Sequence, residues 1–193
     1  MPRSKEATKK AILDATETLL RRRGAPALTL EAVAHEAGCA KGLVNYHFRT
    51  KGQLLVEAVQ RIAAERDAAW VQAFDSPNPQ DAIDRTWDVL KREAQSGTLK
   101  AWTSLGALSD KEVDQTVNNA AQEFRTKLTE ATEQLLERAG MKPSIPPEHL
   151  GWLMAAIVQG MAFQVVAGGD MEVLENAYAA AWLGLLSLTE PID

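Results

Sequence analysis

Cysteine is almost missing from this chain. Cys39 is the only one in 193 residues, which excludes an internal disulfide and makes a reducing cytoplasm the natural setting. Histidine is nearly as scarce, with only His35, His47 and His149, so a zinc site lacks its usual ligands. There is no Gly-rich phosphate loop, no His-Glu-x-x-His and no Gly-x-Ser-x-Gly. The acids Asp110, Glu112 and Asp114 do cluster, but at the start of a helical pattern, where the helix dipole favours negative charge. These absences argue against an enzyme and against a resident metal or cofactor. No apolar run reaches the ~20 residues that a membrane span needs. The nearest, from Leu150 to Ala167, is interrupted by Gln159 and Gln164, as a buried bundle helix would be. The opening Met-Pro-Arg-Ser-Lys-Glu lacks the apolar core of a signal peptide. The two-residue alternation of a strand is not seen either, so the expected fold is all-α.

Basic charge is in short supply over most of the chain and concentrated at one end. The net charge is -5, yet residues 1–52 hold ten Lys/Arg against five Asp/Glu, a local +5, and the remainder is at -10. A basic head on an acidic body is what a protein needs if only its head meets a polyanion. Alternatively, the head's lysines and arginines merely solvate a helix face.

The residues of the head favour the first reading. Ser4 to Arg23 has helical spacing at Ile12, Ala15, Leu19 and Leu20, and Gly24 and Pro26 end it. Arg21, Arg22 and Arg23 complement the dipole of its last turn or reach phosphate. Thr29 suits an N-cap before Leu30, Val33 and Ala34, and a capped helix start is also an anion site. Gly38 supplies the left-handed turn, and Cys39 packs as a small apolar residue or acts as a redox thiol. A short helix follows from Ala40 or Lys41 to His47, with Leu43 and Val44 as apolar anchors and Phe48 in the core. Lys41 can reach phosphate or a guanine edge, and Asn45 carries the donor–acceptor pair that suits adenine. Gly42 lets the backbone approach closely. Tyr46 can lay its ring on a thymine methyl, and His47 donates to phosphate or stays structural. Thr50 caps the next helix, in which Lys51 stands against the dipole, a placement that a bound phosphate would explain. Two short helices and a glycine turn, with polar groups on the second helix, form a device for offering one helix to the major groove.

The stretch Ala37-Gly38-Cys39-Ala40-Lys41-Gly42-Leu43-Val44-Asn45-Tyr46-His47-Phe48-Arg49-Thr50-Lys51-Gly52-Gln53-Leu54-Leu55 closely resembles the helix-turn-helix signature of the TetR family of transcriptional regulators. The resemblance covers about the first third of the chain. Cys39, Ala40, Leu43 and Asn45 depart from the usual Val, Ser, Thr and Tyr. The resemblance implies DNA contacts at Thr29, Lys41, Tyr46, His47 and Lys51, a dimer built from the last two helices, and a small-molecule effector held in the body. It makes residues 1–52 a three-helix DNA-binding domain and residues 53–193 a larger helical domain for effector binding and dimerisation.

In that body, helical patterns run over Asp81–Ser96, Leu99–Leu108, Asp110–Ala139, Glu148–Ala167 and Met171–Leu188. The last two are apolar on more than one face and so need cover on more than one side. Leu153, Ile157, Met161, Tyr178, Trp182 and Leu185 are the expected dimer contacts, unless these helices are simply central within one subunit. Trp87, Trp102, Phe124 and Phe163 are the candidate effector lining, and the few charges on these stripes suggest a mostly apolar or aromatic effector. The expectation is therefore a ligand-responsive DNA-binding regulator, most simply a repressor that its effector releases from an operator. The alternative is an all-α sensor or carrier that does not use DNA.

Overall fold

The computed structural model describes residues 4–192. Within them the fold is all-α: α1 Lys5–Arg23, α2 Leu30–Ala37, α3 Lys41–His47, α4 Lys51–Phe74, α5 Pro79–Ser96, α6 Thr98–Leu105, α7 Lys111–Arg138, α8 Pro147–Val166 and α9 Met171–Leu186. A single turn of 3-10 helix, Ala25–Ala27, follows α1. The one departure from helix is a three-residue ribbon, β1 Met141–Pro143 against β2 Thr189–Pro191, antiparallel with Lys142 opposite Glu190. It ties the segment after α7 to the end of α9, and α9 stops two residues before the Leu188 expected from periodicity.

The chain forms two compact units, and their division differs from the expected break at residue 52. The first holds residues 1–64 and 96–120, and the second holds 65–95 and 121–193. Helices α4 and α7 therefore each contribute residues to both, and α6 belongs to the first.

The first unit is built on caps and one core. Ser4 Oγ accepts from Ala7 N–H at 3.2 Å to start α1. Thr29 Oγ1 accepts from Ala32 N–H at 3.1 Å to start α2. Thr50 Oγ1 accepts from Gln53 N–H, while Gln53 Oε1 accepts from Arg49 N–H, both at 3.1 Å, a reciprocal arrangement of the capping-box kind. Ile12, Leu20, Val33, Val44, Leu54, Val59 and Ile62 are fully buried in one cluster with Ala101, Leu105 and Val113. Trp102 and Cys39 pack against its edge. Ser104 Oγ accepts from Ala25 N–H at 3.0 Å, and Lys100 Nζ donates to the Arg22 carbonyl at 3.1 Å, so α6 is fastened to the C-terminal end of α1.

Gly97, between α5 and α6, is the tightest point of this attachment. Its φ is +79°, and a Cβ there would run into the backbone carbonyl of Arg21. Gly97→Ala is expected to lose at least about 1–3 kcal/mol from the left-handed backbone alone. The collision adds to this, because backbone rather than a flexible side chain must move. A urea titration of the variant checks it; an unchanged midpoint would contradict this packing.

In the second unit, Trp70, Phe74, Leu90, Leu128, Leu135, Met154, Tyr178 and Trp182 are buried. Three polar arrangements lie among them. Arg66 and Glu93 form an ion pair with side-chain exposures of 6% and 8%. Asp67 pairs with Lys127. Tyr178 Oη donates to Thr86 Oγ1 at 2.9 Å. Burial pushes the Tyr178 phenol up to about 12, and the Thr86 contact only partly offsets that.

Candidate nucleic-acid interface

The turn between α2 and α3 follows directly from its residues. Gly38 takes φ +63°, ψ +41°, its N–H bonding back to His35 O, and Cys39 N–H bonds to Ala34 O at 3.0 Å. This left-handed C-cap satisfies the last carbonyls of α2 and reverses the chain. Ala40 is the N-cap of α3, and its side chain supplies no capping bond. The missing hydroxyl thus has a structural consequence: the first amides of α3 have no side-chain acceptor at Ala40.

Helix α3 is anchored by one residue of its seven. Val44 is fully buried and Phe48, just beyond, is 1% exposed, as the pattern predicts. Leu43, expected as a second anchor, is instead 44% exposed. A seven-residue helix with a single face on the core has room for one inward residue per turn, and Val44 occupies it. Lys41, Gly42, Leu43, Asn45 and Tyr46 therefore all lie on the open side. Tyr46 is 67% exposed, with His47 edge-on to its ring at 5.3 Å between centroids. A Cβ on Gly42 would meet nothing, so the surface there is open for close approach.

The surrounding charges complete the surface. Lys5 Nζ stands 5.5 Å from the centre of the Tyr46 ring, and Lys9 Nζ pairs with Glu57 at 2.8 Å. Lys41 Nζ pairs with Glu31, in the first turn of α2. The hydrogen bond from Lys41, more than any other influence, holds the Glu31 carboxyl below its usual range. Arg22, left open between dipole partner and phosphate contact, bonds Glu36 at 2.7 Å and so braces α1 against α2. Thr29 is exposed beside this group and Lys51 is half-buried at the start of α4. The first unit thus brings all seven expected contact positions, Thr29, Lys41, Gly42, Asn45, Tyr46, His47 and Lys51, into α2–α3 and the flanking helix starts.

A helix held on the core by one residue, with its other side polar and open, preceded by a capped helix and a glycine turn, defines a helix-turn-helix DNA-binding protein. Residues 12–58 match the family model described as bacterial regulatory proteins, tetR family. Over that segment the chain carries a TetR-type DNA-binding region, as found in DNA-binding transcriptional regulators. Solved structures extend the likeness of fold to nearly the whole chain. One is a TetR transcription regulator from Haloarcula marismortui, 20% identical, with a TM-score of 0.77 over 96% of this chain and 100% of that one. Another is a TetR-family transcriptional regulator from Agrobacterium tumefaciens, 16% identical, with a TM-score of 0.78 over 97% and 100%. No curated protein matches the sequence significantly.

The residues assigned to the body fare differently. The four aromatics proposed as an effector lining are not one group. Trp102 packs on the core of the first unit. Phe163 is 65% exposed on α8. Trp87 is buried against Tyr178 at 5.3 Å, and Phe124 against Trp70 at 5.9 Å. Large rings bury wherever a helix offers an inward position, so composition alone does not assemble them. The interior is also less apolar than the stripes implied, since Arg66, Asp67 and Glu93 are each 6% exposed. The Trp87 indole N–H is buried without an acceptor among the described residues. A cleft of about 390 Å³ in the second unit is lined by Arg125, Thr129, Glu148 and Trp152 among others, with the Arg125 guanidinium 4.0 Å above the Trp152 ring.

The expected dimer set divides as well. Tyr178, Trp182 and Leu185 are 1%, 3% and 7% exposed and are spent in the core of their own unit. Leu153 is exposed, and Ile157 and Met161 are half-buried. What α8 turns outward is Leu153, Ala156, Gly160 and Phe163, and what α9 turns outward is Val173, Ala177, Ala180, Leu183 and Gly184. Helix α8 is long and apolar enough to cross a membrane by composition. Its apolarity has a local account: Leu150, Met154, Val158 and Ala162 serve the core, and the outward stripe supplies the rest.

Proposed function

We propose that the chain is a dimeric, effector-released repressor whose α3 reads the major groove of an operator. The observation that carries the reading is α3 itself: one buried anchor, Val44, and an open side made of Lys41, Gly42, Asn45 and Tyr46. Asn45 is suited to an adenine edge, Tyr46 to a thymine methyl or sugar, and Lys41 to phosphate or guanine. Thr29 and Lys51, at two helix starts, are placed for phosphate. His47 is assigned to phosphate by the same likeness to the family.

The outward apolar stripes of α8 and α9 support the dimer. Val173, Phe163 and Leu183 are each exposed by 60% or more, which a lone subunit gains nothing by displaying. A two-fold partner would cover them with its own copies and set two heads on half-sites of a near-palindromic operator. An effector in the body would act through α4, which starts at Lys51 in the first unit and continues in the second from Glu65. A compound binding one position of that helix better than another shifts the population of heads able to span both half-sites. The Arg125–Trp152 cleft favours an effector with polar groups over a wholly apolar one.

A mobility-shift assay against the DNA flanking the protein's own gene tests the reading. Binding should be site-selective and fall steeply with salt, and a Tyr46→Ala/Lys51→Ala double variant should lose it. Equal affinity for unrelated sequences would sink the regulator reading.

A further inference from the structure

The α2–α3 face contains one group that does not suit a DNA-reading surface. Glu31 lies two residues after Thr29, in the first turn of α2, with its side chain 66% exposed. A carboxylate there faces the phosphate backbone if the face docks as proposed above. It is not idle, because it holds the ammonium of Lys41, at the first position of α3. Both side chains are solvent-exposed, so the pair is weak enough to open and strong enough to compete with a poorly placed phosphate. Lys41 is thus already paired before any DNA arrives, and its partner sits on the other helix of the motif.

We propose that Glu31 is a specificity-determining residue that works through Lys41. In a loosely docked complex on random sequence, phosphates are reached through a hydrated gap, and Lys41 stays with Glu31. That complex therefore lacks one phosphate contact. On a fitted operator, α3 is seated deeply enough for Lys41 to exchange the carboxylate for a phosphate or a guanine edge. Glu31 thereby subtracts affinity mainly from the wrong DNA, which is specificity by penalty rather than by added attraction. The inference rests on the DNA reading of α3.

The test uses the intact protein with two probes: a mixed-sequence duplex of about 30 base pairs, and a duplex that the protein has itself selected from a random pool. Each phosphate newly neutralised steepens the salt dependence by about 0.9, equivalent to roughly eightfold in affinity at 0.1 M salt relative to 1 M. Glu31→Gln keeps the shape and removes the charge. It should bind the mixed duplex about five- to tenfold more tightly, with a slope steeper by about 0.9. The selected duplex should gain only a factor of a few, the worth of opening an exposed pair. Discrimination between the two therefore falls. In a Lys41→Ala background, Glu31→Gln should change neither affinity nor slope. A gain that persists without Lys41 would mean that Glu31 acts only as one negative charge near a polyanion, and would overturn the proposal. So would an unchanged affinity for the mixed duplex, or a loss of the selected one. If the wild-type protein binds no duplex at about 50 mM salt, where phosphate contacts are strongest, the DNA reading fails and this proposal falls with it. Wild-type binding with an unresponsive Glu31→Gln sinks the proposal alone. Thermal melts of the variant, followed by circular dichroism, establish that α2 is intact.

Discussion

Glu93→Ala is expected to cost about 3–5 kcal/mol of stability, the usual result of taking one member from a buried ion pair. Arg66 Nε donates to Glu93 Oε1 at 2.9 Å and Arg66 Nη2 to Oε2 at 3.2 Å, a two-point grip with both side chains almost wholly out of water. The Trp70 indole N–H also donates to Oε1, at 3.1 Å. Removing the carboxylate takes the counter-charge from a buried guanidinium and the acceptor from a buried indole in one step. The guanidinium also lies 5.3 Å from the centre of the Phe124 ring, so it has no easy route to solvent. Glu93→Gln should cost less, since its amide oxygen still accepts from Trp70. Urea titrations of the two variants make the comparison, and a Glu93→Ala loss below about 1 kcal/mol would contradict a desolvated pair. The double replacement Arg66→Met/Glu93→Leu should cost less than Glu93→Ala, because no buried charge is left unpaired. What remains is the Trp70 indole N–H without its acceptor, a loss of about 1–3 kcal/mol. The charge pair itself is a poor device for stability, and its place between α4 and α5 is better understood as fixing how these helices meet.

That pair also marks where the sequence stopped being legible. Arg66 and Glu93 are 27 positions apart, and each looks in isolation like an ordinary charge on a helix surface. Only the packing of α4 against α5 turns both inward. What could be read from sequence was local. Thr29 and Thr50 cap helices because a hydroxyl sits one residue before a helical pattern, Gly38 turns because the pattern breaks there, and Val44 is an apolar anchor of the short helix that follows. The face of α3 followed from these few residues, and so did the candidate interface. Leu43 is exposed despite its apolarity because the helix is too short to have two inward rows. The β1–β2 ribbon was missed because three residues, two of the six being prolines, give no alternation to detect. Trp87, Trp102, Phe124 and Phe163 could not be grouped, since which helix meets which is a non-local fact. The same holds for α6, a body helix by position in the chain, which is fastened to α1 through Ser104 and Lys100.

The correction at α8 and α9 has the largest functional consequence. Periodicity identified the apolar rows of these helices without saying which row faced the subunit's own core. Tyr178, Trp182 and Leu185 turned out to be the inner row, leaving Phe163 and Leu183, at 65% and 60% exposure, on the outer one. Glutamate at both outer positions should therefore leave the fold intact, because neither side chain is packed within the subunit. In a dimer covered along these rows, the same two charges would be buried twice over with no partner, and association should fail. Phe163→Glu/Leu183→Glu is expected to sediment as a monomer at micromolar concentration with an unchanged helical signal. Its operator affinity should drop by roughly 10²–10⁴, the advantage that joining two half-site contacts provides. Binding to a single half-site should be unaffected, because α3 is untouched. Trp182→Glu gives the contrast: a charge at a 3% exposed position, packed on Phe74 at 5.6 Å, should unfold the second unit rather than divide the dimer. A folded, dimeric Phe163→Glu/Leu183→Glu variant would show that the subunits meet elsewhere.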